Sequence, residues 1–300
     1  MGASAKSLIL DDSALPSEAY LMESALFDYT QVVRRSETFG FKRYLKALYR
    51  GELADRRRHG FGVMLYEGSE RVYEGCWLDD QRQGKGYERY KNGATYIGDF
   101  ADNKPSGQGV YTWRNGEVYD GQWLGGKKEG HGIWRGTQDS ECYIGEWKQS
   151  KAHGYGVHIW RNGDKYEGEW KECLKHGHGS DFFANGDTYQ GEYKTGKPDG
   201  FGQYKWKNGS FYIGDFQSGL KHGKGKWRKS NKPNSNNYEG GYYMDKKHGY
   251  EVFTWETGNM YNGNYGNDEQ EGYGEMYWTD GTVYKGQWSK GCKPGPGKML

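Results

Sequence analysis

Histidines that recur at one place in a repeating pattern are the residues of this chain that most suggest metal chemistry. Five of them directly precede the first glycine of a Gly-x-Gly pair: His59, His153, His176, His222 and His248. If each pattern forms one β-hairpin, equivalent residues lie about 10 Å or more apart, because strands are about 4.8 Å apart. Ligands of one zinc ion all lie about 2 Å from the metal. We therefore expect no shared metal site.

The Gly-x-Gly pairs also invite comparison with nucleotide-binding loops. No G-x-x-x-x-G-K-[ST] motif occurs, and no glycine run stands between a strand and a helix of a βαβ unit. The glutamate of each Tyr-x-Gly-Glu run, such as Glu169, alternates to the solvent side of its strand, and no acid pair results. The four cysteines form no C-x-x-C pair, which favours a reducing compartment without zinc. The chain is expected to be no enzyme and to hold no cofactor.

Two signatures explain these residues as parts of a repeat. The first is Tyr-x-Gly-x followed by an aromatic residue, as in Tyr166–Trp170, and the second is the glycine pair, as in Gly177/Gly179. Most of the tyrosines that begin the first signature are 23 residues apart. They are Tyr49, Tyr73, Tyr96, Tyr119, Tyr143, Tyr166, Tyr189, Tyr212, Tyr238, Tyr261 and Tyr284.

The alternation of side chains along a strand predicts how this repeat folds. Along a strand, Tyr166, Gly168 and Trp170 share one face, so that an aromatic ring can lie on the glycine backbone of a neighbouring strand. Asn-Gly turns such as Asn162-Gly163 are a strong hairpin signal. With 50 glycines, 17% aromatic residues and a mean hydropathy of −1.11, no thick aliphatic core is expected. We predict an all-β protein: an elongated, twisted, single-layer antiparallel β-hairpin solenoid of about eleven repeats, with a short N-terminal helix.

Two departures from the pattern are expected to have structural consequences. The interval from Tyr212 to Tyr238 is 26 residues, and the extra length falls in the polar stretch Lys229–Asn237. This predicts a longer, exposed hairpin loop. In the following unit Glu251 replaces the second glycine of the pair. A local kink or repacking is expected there.

Both signatures resemble those of the MORN-repeat family (membrane occupation and recognition nexus). Tyr166–Trp170 followed by Lys175–Gly179 is similar to the family pattern. The resemblance covers the chain from Tyr49 onward and implies a repeat array over 49–300, preceded by a flexible N-terminus (1–16) and a helical cap or docking segment (17–48). MORN repeats occur in radial-spoke head proteins of cilia, in junctophilins and in phosphoinositide kinases. Lys293–Lys298 resembles the end of the array in radial-spoke head proteins.

The segment Ser17–Arg35 has the pattern of an amphipathic helix. Met22, Leu26, Tyr29 and Val33 recur at helical spacing. The helix is interpreted as a cap over the open edge of the array, as a docking helix for a partner, or as a segment that inserts into a membrane surface. Gly40–Leu48 is either a second short helix or a lead-in strand.

Charge is nearly balanced, since 42 basic and 40 acidic residues give a net charge of +2. This is unlike a general nucleic-acid binder. One stretch, Leu220–Lys232, contains six basic residues and no acid. It is either solubilising loop charge or a contact for phosphate, anionic lipid or an acidic protein tail. The residues proposed for such contact are Lys221, Lys224, Lys226, Arg228 and Lys229.

These features predict a non-enzymatic structural scaffold that docks other proteins in a cytoskeletal assembly. The resemblance points to the cytoplasm and the ciliary axoneme, with a radial spoke as the concrete case. Partners would include a helix laid along the array, with weak contact to anionic lipid, no nucleic acid and no small-molecule substrate. The alternatives are a membrane-associated tether or anionic-lipid-binding module, and the regulatory repeat region of a phosphoinositide kinase. No apolar run approaches the roughly 18 residues of a membrane span.

Overall fold

The structure is a computed structural model that describes residues 39–137, 141–293 and 297–299. The predicted helix Ser17–Arg35, with Met22, Leu26, Tyr29 and Val33, lies outside the described residues. The described chain forms two units that divide after Lys127. Its regular elements are β-strands, as the sequence predicts. Residues of the lead-in segment form strand β1, which resolves the choice between helix and strand for that stretch.

In the first unit each strand pairs antiparallel with its neighbour in sequence. The strands are β1 Phe39–Tyr44, β2 Ala47–Ala54, β3 Arg57–Tyr66, β4 Val72–Leu78, β5 Gln81–Arg89, β6 Thr95–Ala101, β7 Lys104–Thr112 and β8 Val118–Leu124.

The second unit repeats this arrangement. Its strands are β9 Lys127–Arg135, β10 Cys142–Lys148, β11 Lys151–Ile159, β12 Lys165–Lys171, β13 Leu174–Phe182, β14 Thr188–Lys194, β15 Lys197–Lys205, β16 Phe211–Gln217, β17 Leu220–Arg228, β18 Asn237–Tyr243, β19 Lys246–Lys247, β20 Gly249–Thr254, β21 Met260–Gly266, β22 Glu269–Tyr277, β23 Val283–Trp288 and β24 Lys298–Met299. Glycines face glycines across strands, as Gly168 faces Gly179.

The turn inside each repeat is a two-residue turn with left-handed backbone. Asp79 and Asp80 have φ values of 45° and 69°, which is the pattern of a type I′ hairpin turn. The Asp80 N–H donates to the Arg58 carbonyl of the preceding repeat at 2.9 Å. The Asp80 carboxylate also accepts the Arg58 N–H at 3.0 Å. These reciprocal bonds tie the turns of successive repeats together.

The Asn-Gly pairs lie in the other turn, which is longer than a two-residue hairpin. Between β11 and β12 the Trp160 N–H donates to the Asp164 carbonyl at 2.9 Å, and the Gly163 N–H donates to the Trp160 carbonyl at 2.8 Å. Only Gly163 is left-handed in this turn, with φ +90°. The Asn162 side chain accepts the Asp164 N–H at 3.0 Å. The hairpin predicted from Asn-Gly is present, but as a type I turn followed by a left-handed glycine.

A β-bulge gives the carboxylate that follows the glycine of the first signature, present in several repeats, a hydrogen bond that alternation alone does not predict. The register of β12 against β13 shifts between Gly168 and Glu169. The shift leaves the His178 N–H without a strand partner, and the Glu169 carboxylate accepts it at 2.8 Å. Glu169 is exposed, as alternation predicts, and its carboxylate makes this backbone contact in addition. The first glycine, Gly177, adopts φ +54° because it forms the bulge.

Both predicted departures appear in the second unit. Where Glu251 replaces glycine, the second strand of the hairpin is interrupted and β19 and β20 form two short pieces. Burial raises the pKa of Glu251. The stretch Lys229–Asn237 makes the longer loop, closed by a 2.9 Å bond from the Lys229 N–H to the Asn236 carbonyl.

Candidate functional site on the tyrosine face

We call the sheet surface that carries the repeat tyrosines the tyrosine face. Tyr166 is fully buried there, because its ring lies on the glycine backbone of the neighbouring strand. A Cβ atom on Gly179 would lie 2.6 Å from the Tyr166 ring, so only glycine fits. The Tyr166 hydroxyl donates to the Glu169 carbonyl at 2.9 Å. Burial raises the pKa of Tyr166, as expected for a structural tyrosine.

Aromatic residues of adjacent repeats interlock along this face. Trp170 makes edge-to-face contacts with Tyr166 of its own repeat and Tyr143 of the preceding one, with ring centroids 5.1 Å and 5.4 Å apart. Its indole N–H donates to the Gly156 carbonyl at 3.0 Å. Each such ring pair contributes about 0.5–1.5 kcal/mol beyond burial. The contacts recur in both units and fix the spacing of side chains on the face.

Basic side chains lie over the aromatic rings of the tyrosine face at one position of the repeat. The residue two places before the first glycine of each pair is Arg or Lys in seven repeats, and its side chain lies over aromatic rings. We call these residues the cation row: Arg58, Arg82, Lys128, Lys175, Lys221, Lys247 and Lys293. Contacts of this kind contribute about 0.5–2 kcal/mol, more where water is excluded.

One member of the cation row, Arg82, forms an ion pair with a buried carboxylate, and we call such a cation closed. Arg82 Nη1 lies 2.6 Å from Glu88 Oε2, and Arg71 Nη2 lies 2.7 Å from Glu88 Oε1. Glu88 is only 1% exposed. Because both carboxylate oxygens are bound by guanidinium groups, this cluster has no free position for a ligand.

Lys175 is neutralised in a similar way. Its Nζ lies 2.5 Å from Asp181 Oδ1, over the rings of Trp160 and Tyr166. The Tyr193 hydroxyl donates to the other oxygen of Asp181 at 2.7 Å. Burial and the nearby Asp181 carboxylate raise the pKa of Tyr193.

A cavity of about 370 Å³ lies beside this pair and includes Trp160 and Phe183 in its lining. His158 stacks on Trp160 with ring centroids 4.3 Å apart and an interplanar angle of 12°. Its Nε2 lies 3.1 Å from Glu141 Oε1. Burial lowers the pKa of His158, and the bond to Glu141 opposes that shift. His158 thus packs behind Trp160 and Glu141, two residues that line the cavity.

The last members of the cation row differ from Arg82 and Lys175. Lys247 Nζ lies 5.3 Å from the ring centroids of Phe253 and Tyr265, and burial lowers the pKa of its ammonium. Within the described residues, Lys221, Lys247 and Lys293 have no carboxylate oxygen within 4.0 Å of Nζ. A second cavity of about 370 Å³ opens beside Lys247. Aromatic rings surround these three ammonium groups, and the Asp268 carboxylate acts on Lys247 from a longer distance.

The basic residues that the sequence grouped together do not form one patch. Lys221 faces Phe216 and belongs to the tyrosine face. Lys224, Lys226 and Arg228 point to the opposite face, where Lys226 Nζ lies 2.6 Å from Glu239. Lys229, in the long loop, lies 3.3 Å from Glu256. A role in partner binding stays a prediction for each of them.

Across the ranges 39–137, 141–293 and 297–299, no three His, Cys, Asp or Glu side chains converge as metal ligands do. In the same ranges no helix has the length and apolar character to cross a membrane.

The family model for the MORN repeat matches ten segments: residues 49–69, 73–95, 96–118, 119–139, 143–165, 166–188, 189–211, 212–232, 238–260 and 261–283. The chain belongs to the MORN-repeat family. Tyr284 begins an eleventh unit, in which its hydroxyl donates to the Gln287 carbonyl at 3.0 Å as in the complete MORN repeats. No curated protein matches the chain in sequence.

Solved structures with distant similarity to this MORN array include two related domains. One is the TCP domain of SAS-4 (dCPAP) of Drosophila melanogaster in complex with a proline-rich motif of Ana2 (dSTIL), at 12% identity and a TM-score of 0.30, covering 49% of this chain and 83% of that chain. Another is the wild-type TCP10 domain of Danio rerio CPAP, at 12% identity and a TM-score of 0.25, covering 83% and 100%. Similarity of this size supports no conclusion about function.

Proposed function

We propose that this MORN-repeat chain is a non-enzymatic scaffold that docks other proteins in a cytoskeletal assembly of the cytoplasm. The observation that carries the proposal is the tyrosine face. Its tyrosines are fully buried between repeats, so the array holds charged and aromatic side chains at regular, fixed positions. Rigid positions reduce the entropy lost on binding, which favours protein docking.

The opposite face supports the same proposal. Tyr155 and Phe201 are 52% and 58% exposed there. Exposed aromatic side chains with few rotamers are enriched in protein interfaces. The titratable groups with shifted pKa values, such as Tyr166 and His158, have packing explanations, so none of them calls for a catalytic role.

The specific assembly that we propose is the ciliary axoneme, with the radial spoke as the concrete case. The support is the resemblance of Lys293–Lys298 to the end of the array in radial-spoke head proteins. A tagged chain expressed in ciliated cells tests this proposal. We expect the chain to remain with the axonemes after detergent removes the ciliary membrane. Release of the chain with the membrane fraction would contradict it.

A second candidate function is a membrane-associated tether, favoured by one observation. Lys224, Lys226 and Arg228 lie on one face of β17, next to the lysine-containing loop Lys229–Asn237. Flotation with vesicles that contain phosphatidylserine tests it. Salt-sensitive flotation that is lost in a Lys224→Gln/Arg228→Gln chain supports the tether, and equal flotation of both chains opposes it.

A further inference from the structure

We propose that Lys221, Lys247 and Lys293, which we call the open lysines, together with the cavity beside Lys247, bind carboxylate side chains of an acidic protein segment. This inference rests on the proposed docking function and names the chemistry of the partner. It moves the expected contact from the opposite face of β17, where Lys224 and Lys226 lie, to the tyrosine face.

The first step is the presence or absence of an internal counter-ion. In the two closed positions the acid comes six residues after the cation, as Glu88 follows Arg82 and Asp181 follows Lys175. Arg58 is paired in another way, with Asp80 of the next turn at 2.8 Å. Six residues after Lys221 and Lys247 the chain has Trp227 and Phe253. These aromatic residues occupy the same register, since Trp227 faces Tyr238 and Phe253 faces Tyr261.

The second step is the energetic state of Lys247. Its ammonium lies among the rings of Tyr238, Phe253 and Tyr265, at 5.7, 5.3 and 5.3 Å from their centroids. Burial lowers its pKa, and Lys221 acts in the same direction while Asp268 opposes. A partly desolvated cation gains from an added carboxylate, because part of its desolvation has already occurred in the free protein.

The third step is access and spacing. The cavity beside Lys247 includes Trp255, Gln270 and Lys290 in its lining. Asp268 and Glu269 also line it, and the Asp268 carboxylate accepts the backbone N–H of Lys247 at 2.9 Å. With two strands per repeat, Lys221 and Lys247 are about 10 Å apart. Carboxylates seven residues apart in a helix, or three apart in an extended segment, match that distance.

The form of the site favours a peptide carboxylate over a phosphate group or a lipid surface. The open lysines supply one ammonium per repeat between aromatic walls, whereas phosphate sites commonly bring several donors or a forked guanidinium to one group. The basic side chains Lys224, Lys226 and Arg228 cannot add to the charge, because they point to the other face.

Fluorescence anisotropy with the full chain tests the inference. The probes are a fluorescein-labelled peptide with glutamates at positions i, i+3 and i+7 and the same peptide with glutamine at those positions. We expect the glutamate peptide alone to bind. Lys247→Met and Lys221→Met should each weaken binding about fivefold, since each removes one partly buried ion pair. Lys224→Met, on the opposite face of the same strand as Lys221, is the matched control and should change nothing.

A Lys247→Arg chain, which keeps the charge, should bind as wild type, and thermal melting of each variant shows whether it is folded. Equal binding by wild type, Lys247→Met and Lys221→Met would overturn the inference. So would lysine-dependent binding of phosphatidylinositol phosphate vesicles without binding of the peptide. If the chain stays on axonemes but the peptide does not bind, this inference fails alone. If the peptide binds but the chain leaves the axonemes, the proposed assembly fails alone.

Discussion

Arg82 and Lys247 occupy the same position of their repeats, yet their surroundings differ. Arg82 lies against Glu88, which is 1% exposed and also bound by Arg71. Lys247 lies among aromatic rings with a cavity of about 370 Å³ beside it. Both cations lie over the buried tyrosine of a repeat, Tyr73 for Arg82 and Tyr238 for Lys247. Two features differ between the repeats. The residue six places after the cation is Glu88 in one and Phe253 in the other, and the second strand of the Lys247 repeat is interrupted between β19 and β20.

The residues that stabilise a repeat therefore differ from the residue that decides whether its cation has an internal counter-ion. The buried tyrosine is present in both repeats, whatever residue stands six places after the cation. Where that residue is Glu88, the cation is neutralised inside the fold. Where it is Phe253, no described carboxylate oxygen lies within 4.0 Å of the ammonium. Arg82 and Lys175 are thus closed and the open lysines are not, while Arg58 is paired in another way, with Asp80 at 2.8 Å.

The largest expected effect is the loss of the closed cluster. Glu88→Gln should lower the free energy of unfolding by about 3–5 kcal/mol, because two arginines keep their burial and lose their counter-ion. Urea denaturation of the wild type and the variant measures it. Glu167→Gln is the control, since that carboxylate is 40% exposed and pairs with Lys165 at the surface. A loss of less than about 0.5 kcal/mol for Glu88→Gln would show that the cluster does not stabilise the fold as a buried ion pair would.

The next largest effect concerns the packing of a tyrosine ring on a glycine in the repeat of Arg82. Gly86→Ala should cost about 1–3 kcal/mol, because a Cβ there would lie 2.6 Å from the Tyr73 hydroxyl oxygen. Gly136→Ala is a suitable control, since its nearest neighbour would be 3.4 Å away. Chemical denaturation of both variants measures the costs. Equal stability of the two would contradict the ring-on-glycine packing.

Converting an open position into a closed one should weaken recognition. Phe253→Asp places a carboxylate where Asp181 stands relative to Lys175. We expect it to weaken binding of the glutamate peptide about fivefold, as Lys247→Met does, because the internal acid takes the place of the external one. Anisotropy measures the change, and a Phe253→Leu chain controls for loss of the ring. Undiminished binding by Phe253→Asp would break the distinction between open and closed cations.

The smallest effect is a pH dependence. Burial lowers the pKa of Lys247 below its unfolded value of about 10.4, so the folded state carries a penalty while the lysine is charged in both states. That penalty disappears as pH rises through the folded pKa to the unfolded one. The melting temperature of wild type relative to Lys247→Met should therefore rise as the pH approaches the unfolded pKa of about 10.4 from below. A difference that falls with pH would contradict the desolvated state of Lys247.

The sequence predicts much of the fold. Tyrosine spacing and the shared face of Tyr166, Gly168 and Trp170 give the antiparallel hairpins and the facing glycines. The bulge that engages Glu169 could not be predicted, because alternation assumes an unbroken register. The five basic residues of Leu220–Lys232 were grouped by their closeness in sequence, although alternation alone places Lys221 on the tyrosine face and Lys224 on the opposite one.

The cation row could have been found from the sequence, since Arg or Lys recurs two places before the first glycine. Its division into open and closed positions could not, because it depends on which side chain reaches across the face. The Nζ atom of Lys175 lies 2.5 Å from Asp181 Oδ1, whereas the Nζ atom of Lys247 lies beside aromatic rings. Predicting such contacts requires the register of the strands and the direction of each side chain.

Carbodiimide cross-linking, which joins a lysine amine to a carboxylate in direct contact, tests the division most directly. The glutamate peptide is cross-linked to the full chain, and the modified lysines are identified by mass spectrometry. We predict products at Lys221 and Lys247, none at Lys175, and loss of the Lys247 product in Phe253→Asp. Products at Lys224 and other exposed lysines in proportion to their exposure, unchanged by Phe253→Asp, would contradict the account.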